Sequence, residues 1–232
     1  MSLLDLLFPK RCVRCKTFGS YLCPSCFSYI SFLEHGVCIV CQKQAIGGAT
    51  HPRCLTRYTI DGVFSSLAYT GVVKKLLYQF KYQPNLTDLK NLLTELFYEG
   101  LIQKELFYSL LSKKSLLVPI PLHASKLKKR GYNQSLLLAK GLGTKLNLPV
   151  SDCLIRSKKT TTQVGLSKEE RRENIKDAFA INKTSLAELK QYSQIFLVDD
   201  IATSGATLNE AAKLLKKTGV TNVWGVTLAH GQ

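Results

Sequence analysis

The sequence predicts an α/β protein: a mostly parallel sheet flanked by helices, behind a small N-terminal metal-binding module. Three observations carry this. Seven of the eight cysteines lie before residue 55. After Asp61, short apolar runs alternate with segments of helical period, the pattern of βαβ units and a doubly wound sheet. Ile195-Phe196-Leu197-Val198 is an apolar run ending in two acids and a Thr/Ser/Gly turn. A strand buried on both faces delivers ligand groups at its C-terminal end in this way.

The 232 residues, 45% hydrophobic and 21% charged, suffice for one sizeable core and an appendage. No apolar run approaches the ~18 residues needed to cross a bilayer. The opening MSLLDLLFPKR has Asp5 inside its apolar stretch and lacks a basic start and a small-residue cleavage site. No signal peptide is expected, and the cytoplasm is the expected compartment. The net charge is +16; residues 61–160 carry sixteen basic against six acidic side chains, residues 161–232 nine against eight. A central excess of this size attracts polyanions such as nucleic acid or phosphorylated metabolites.

Residues 1–58 form the first expected unit and residues 59–232 the second. The first contains Cys12/Cys15, Cys23/Cys26 and Cys38/Cys41, each separated by two residues, and a fourth pair of the same spacing, His51/Cys54. Two intervening residues let a tight turn present both ligands to one ion. Four thiolates, or three and an imidazole, close the shell of a structural Zn²⁺. One or two zinc ions are expected. Pairing in sequence order puts Cys12, Cys15, Cys23 and Cys26 on one ion and Cys38, Cys41, His51 and Cys54 on the other; an interleaved cross-brace also satisfies the spacing. Metal supplies the stability that so small a core lacks. Cys153, standing alone, reads as a small buried hydrophobe.

In the second unit, Val63–Tyr69 reads as a strand and Val72–Tyr82 as a basic amphipathic helix stopped by Pro84 and Asn85. Thr87–Leu111 has helical spacing, with Gly100 the expected interruption. Ser115–Pro121 is a short buried strand, Gln134–Leu146 a helix, Arg156–Asn174 an exposed, charged, mobile stretch, and Ala178–Ile181 a strand. Ile195–Val198 is the central strand, Ala206–Thr218 a helix closed by Gly219, and Val223–Leu228 the last strand.

The most informative run is Ile195 to Thr207. Successive backbone N–H groups and hydroxyls of Thr203, Ser204, Gly205 and Thr207 can surround a phosphate at a helix start, and Gly205 permits close approach. Asp199 and Asp200 repel phosphate. They suit ribose hydroxyls or a Mg²⁺ held by them. The loop Val118-Pro119-Ile120-Pro121-Leu122, followed by Lys126, Lys128, Lys129, Arg130, Gly131, Tyr132, Asn133 and Gln134, offers N–H groups and cations opposite. The stretch holding Thr162, Gln163, Gly165, Leu166, Arg171 and Asn174 could close as a lid. In Tyr78-Gln79-Phe80-Lys81-Tyr82, aromatics interleave with a cation as in single-strand binders, although Phe80 also fits the core.

Each position from Ile195 to Thr207 matches the signature by which type I phosphoribosyltransferases bind 5-phosphoribosyl 1-diphosphate (PRPP). That resemblance implies that Asp199 and Asp200 hold the ribose hydroxyls, and that Ala202, Thr203, Ser204, Gly205, Ala206 and Thr207 surround the 5-phosphate. Several motifs occur in order: the CxxC pairs, Tyr69-x-Gly71 through Phe80-Lys81-Tyr82, VPIPLH, RGYNQ, TxxQxGLSxxxRxxN and the acidic-pair loop. Together they resemble the ComF family, also called amidophosphoribosyltransferase-like competence proteins. His51 stands where members often have Cys. The resemblance implies a type I phosphoribosyltransferase domain behind a double zinc ribbon. It implies a role in DNA uptake during natural transformation, with single-stranded DNA, helicase-like proteins and recombination proteins as partners. Two functions are expected to compete. One is binding of PRPP or a related phosphoribosyl compound, with Mg²⁺, in a DNA-binding protein. The other is an active enzyme transferring phosphoribosyl to an unidentified base or amine, with Arg156 or Lys158 neutralising the departing diphosphate beside Asp199 and Asp200.

Overall fold

The structure, a computed structural model, describes residues 10–82, 87–158 and 167–231. The N-terminal segment has little regular structure: helix α1 (Pro24–Phe27) and the two-residue strands β1 (Gly36–Val37) and β2 (Gln44–Ala45), which pair antiparallel. Then follow β3 (Gly62–Ala68), α2 (Gly71–Tyr82), α3 (Thr87–Ile102), α4 (Glu105–Leu110), β4 (Ser115–Pro119), α5 (Ala124–Arg130), α6 (Gln134–Leu146) and β5 (Leu154–Arg156). The chain ends with α7 (Lys168–Ile175), β6 (Phe179–Ile181), α8 (Leu186–Leu189), β7 (Gln194–Ala202), α9 (Ala206–Lys217) and β8 (Asn222–His230).

The main sheet has the order β3-β8-β7-β4, all parallel. Period-two alternation along β7 sends Phe196 and Val198 to one face and Ile195 and Leu197 to the other. The first face is covered by α2, α3 and α6, the second by α9, whose Leu208, Ala211, Ala212 and Leu215 recur at helical spacing and are buried. Trp224 and Phe107 close the first face around Phe64: Trp224 stacks on it at 4.8 Å and Phe107 meets it edge-on at 5.4 Å. Rings of this size bury enough area to contribute about 2–3 kcal/mol each. Cys153 is wholly buried, which pushes its thiol up to about 12; it is packing, as its isolation suggested.

The N-terminal segment docks on the free edge of β3. Leu33 N–H donates to Ser66 O at 2.8 Å and Ala68 N–H to Ser31 O at 2.9 Å, while Thr50 N–H reaches Asp61 O at 2.8 Å. These bonds blunt an edge strand that would otherwise pair with other chains. Asp61 secures the join, since its carboxylate accepts from Lys216 Nζ and from Val223 N–H, both at 2.7 Å.

Several expectations need correction. The strand read as Ile195–Val198 runs on to Ala202, because its ladder with β8 continues through Asp199↔Thr227 to Ala202↔His230. The acids therefore sit in the strand, and the loop is only Thr203 to Gly205. Gly100 does not interrupt its helix. A Cβ there would lie 2.4 Å from Ser66 Cβ, so the glycine lets α3 approach β3, and the break falls instead between Ile102 and Glu105. Within the stretch from Arg156 to Asn174, the described residues include the end of β5 and most of α7. Arg156 pairs with Phe179 in a small antiparallel sheet, and Ser167 and Glu170 form a reciprocal capping box that starts α7. Pro84 and Asn85, and the lid residues Thr162, Gln163, Gly165 and Leu166, lie outside the described residues. Among the described residues no helix is long and apolar enough to cross a membrane.

Candidate functional site

Two closed ligand sets are assembled in the N-terminal segment. Cys12, Cys15, Cys23 and Cys26 form one; Cys38, Cys41, His51 and Cys54 form the other. The donor atoms of each set all lie within 4.8 Å of one another. The pairing in sequence order is the one this fold adopts. Burial pushes the Cys12 thiol up, but backbone N–H groups of Cys15, Cys23 and Arg14 outweigh it and bring it down to about 6. At Cys38 burial is likewise outweighed, by N–H groups of Cys41, His51 and Val40, and the thiol falls to about 7. In the same sets burial, then the neighbouring thiols, push Cys26 up to about 12 and Cys54 up to about 11, so the turns favour the thiolate at Cys12 and Cys38 and not at every ligand. His51 Nε2 bonds Gln44 O at 2.9 Å while Nδ1 lies 3.3 Å from Cys41 Sγ. The carbonyl thus fixes the tautomer that frees Nδ1 for metal. Four protein donors of this kind suit structural Zn²⁺.

The second site is built at the C-terminal end of β7. Asp199 Oδ1 accepts from Ser135 Oγ at 2.9 Å and from Asp200 N–H at 2.9 Å. Burial, then the charge of Asp200, push the Asp199 carboxyl up to about 7. Asp200 is buried and ion-pairs with Lys81; Gln134 Nε2 donates to its Oδ1 at 3.4 Å. Burial would raise this carboxyl, but Lys81 outweighs burial and holds it below its usual range. The pair is thus divided: Lys81 favours the ionised form of Asp200, whereas Asp199, largely buried at the strand end, has its carboxyl raised towards neutrality.

Further cations meet at this edge. Burial, then the charges of Arg156, Arg130 and Lys81, push the Lys126 ammonium down. Burial lowers Arg156, and Asp199 partly offsets it. Arg130 bonds Gln134 Oε1, which hands its orientation on to the acid pair. Four cations beside two carboxylates leave a net positive field that fits a multiply charged anion.

The loop after β7 completes the arrangement. Gly205 caps α9 with φ of 70°, and Ala206 and Thr207 begin a helix of 12 residues, whose N-terminal end and dipole favour an anion there. Arg171 Nη1 donates to Thr203 Oγ1 at 3.2 Å, and Gly231 N–H to Ala202 O at 2.8 Å. Opposite, Pro119 pairs with Val198 at the end of β4, Ile120 N–H donates to Val198 O at 2.9 Å, and Asn133 Nδ2 donates to Ile120 O at 3.1 Å. The Pro119–Pro121 loop is thereby tied both to the acid-bearing strand and to the start of α6.

The fold brings Asp199, Asp200, Arg130, Arg156 and the Ala202–Thr207 loop to one sheet end. Arg171 and Asn174 lie on α7, the first reaching the loop. Lys158 instead donates to Lys176 O at 3.5 Å, beyond the end of α7. Sequence reasoning put Gln134 among the donors opposite the ribose but missed Lys81 and Ser135 as partners of the acids. A signal existed: Gln134 and Ser135 are polar residues in the first turn of an apolar helix, and Lys81 follows the buried Phe80. Phe80 is core, whereas Tyr78 and Tyr82 are exposed with ring centres 4.8 Å apart, and Arg130 lies 5.5 Å from the Tyr82 ring. A cleft of about 970 Å³ touches Thr203 and Ser204 but not the acids. It lies on the β3 side of the loop and the cations on the β4 side, so the charged groups define the anion site and the cleft adjoins it.

Two domain models match parts of the chain. A phosphoribosyl transferase domain model matches residues 133–231, and a double zinc ribbon domain model matches residues 3–55. Competence protein F of Haemophilus influenzae is 32% identical over 91% of this chain and 99% of its own length. The DNA utilization protein YhgH of Escherichia coli is 27% identical over 87% of this chain and 93% of its own. Competence protein ComFC of Bacillus subtilis is 28% identical over 93% and 82%.

Proposed function

The chain belongs to the competence protein F (ComF) family, and on that premise we propose that its α/β domain binds PRPP with Mg²⁺ and serves the handling of incoming single-stranded DNA. The observation that carries the first half is the divided acid pair beside a glycine-capped helix start. Asp199, oriented by Ser135, accepts from a ribose hydroxyl. Asp200, pinned by Lys81 and Gln134, supplies fixed negative charge for the hydroxyl pair or the Mg²⁺ it carries. Bound Mg²⁺ screens the charge of the diphosphate. The N–H groups of Thr203 to Thr207 take the 5-phosphate, while Lys126, Arg130 and Arg156 face the diphosphate across the Pro119–Pro121 loop. In calorimetry, PRPP with Mg²⁺ should bind with measurable heat, and absence of heat at millimolar ligand removes the reading.

The DNA half draws on the names of the relatives, the +16 charge and the exposed Tyr78–Tyr82 pair beside Arg130. Stacking on such rings contributes about 1–3 kcal/mol per base. Helicase-like and recombination proteins are the partners this role calls for, in the cytoplasm. A second reading, turnover with an amine or base acceptor, is favoured by Arg156 beside Asp199; diphosphate release in an acceptor screen tests it. We also read the boundary between residues 58 and 59 as the division between the two units.

A further inference from the structure

The two metal-ligand sets pack on opposite sides of the sheet. Cys12, Val13, Leu22, Cys26 and Ile30 join the core that contains Phe196 and Val198, on the α2, α3 and α6 side. Ile39, between Cys38 and Cys41, joins the other core, with Ala202, Ala206 and Leu208. Those three residues flank the phosphate loop. The contact is close. A Cβ added at Gly205 would lie 2.0 Å from Ile39 Cγ1 and 2.9 Å from its Cδ1, so Ile39 fills the space that the absent side chain leaves. The Cys38–Cys41 turn fixes Ile39 in turn: Gln42 N–H donates to Cys38 O at 2.7 Å, and Gln42 Nε2 to Ile39 O at 2.7 Å. A second link lies nearby. Ile60 N–H donates to Asn209 Oδ1 at 3.1 Å, and Asn209 N–H to Gly205 O at 2.9 Å. The first ligand set has no counterpart of these contacts among the described residues.

We propose that the second zinc-ligand turn is a positioning element of the phosphate loop, seating Ile39 against Gly205, whereas the first set only staples the far face. The inference rests on the PRPP-binding reading for its consequence, but not for its geometry. Ordering an anion site before the ligand arrives raises affinity, because the ligand does not bear the ordering cost. Losing Ile39 from a well-packed contact frees the loop locally without unfolding the domain.

The test uses the full chain loaded with zinc and compares Ile39→Ala, Ile39→Val and Val13→Ala, the last a truncation at the corresponding position of the first ribbon. Native mass spectrometry checks that two zinc ions are retained. Amide hydrogen exchange is read at residues 203–209 without ligand, and PRPP–Mg²⁺ affinity by titration. Ile39→Ala is expected to speed exchange at the loop and weaken PRPP binding, each by about tenfold. Ile39→Val, lacking Cδ1, should shift both in the same direction by less. Val13→Ala should leave both within about twofold. Unchanged loop exchange in Ile39→Ala overturns the proposal, as does an equal effect from Val13→Ala. Should Ile39→Ala not fold, unchanged exchange in Ile39→Val overturns it equally. If the wild type shows no PRPP binding, the functional reading fails while the exchange comparison still decides this one.

Discussion

At the residue scale, Asp199 and Asp200 are adjacent in sequence and opposite in behaviour. Because the folded pKa of Asp199 is raised to about 7, the native state holds its proton more tightly than the unfolded chain. That contribution to stability is present below the unfolded value and is lost as pH rises through about 7. Asp199→Asn should therefore raise the melting temperature at about pH 8 while weakening PRPP binding. A melting temperature that falls there would contradict the assignment. Ligands that need Asp199 ionised should bind about tenfold more weakly at pH ~6 than at pH ~8, as titrations across that range would reveal. Lys81 has the converse role. Lys81→Met leaves a buried carboxylate without its cation and should cost about 3 kcal/mol in chemical denaturation. An unchanged midpoint would mean that the pair is not closed in solution.

At the element scale, most of the main sheet was legible because its strands are apolar runs and its helices carry one buried stripe. What escaped was set by partners distant in sequence. No local signal extends β7 through two acids; its ladder with β8 does. Gly100 looked like a helix breaker, yet it answers to Ser66 across the interface. Gly100→Ala should consequently destabilise the fold by about 1–3 kcal/mol by overpacking, whereas a true helix interruption would tolerate the change. In the site, the sequence pattern named the acids and the Ala202–Thr207 loop. The residues that hold them, Lys81, Gln134 and Ser135, come from α2 and α6 and converge only in three dimensions.

At the scale of the whole molecule, the N-terminal segment completes the α/β domain by capping its open β3 edge and touching its phosphate loop. Chelation of zinc should therefore do more than melt a small appendage. Circular dichroism and thermal melting should show lowered stability of the α/β domain as well; a melting transition of that domain indifferent to chelator would contradict the docking. DNA affinity, if carried by the central cations, must fall steeply as salt rises. The most direct test of the central claim is a structure of the PRPP–Mg²⁺ complex. The diol should lie against Asp199 and Asp200, with the 5-phosphate on the amides of Thr203 to Thr207. Ligand found instead in the 970 Å³ cleft on the β3 side of the loop, with the acid pair untouched, would contradict it.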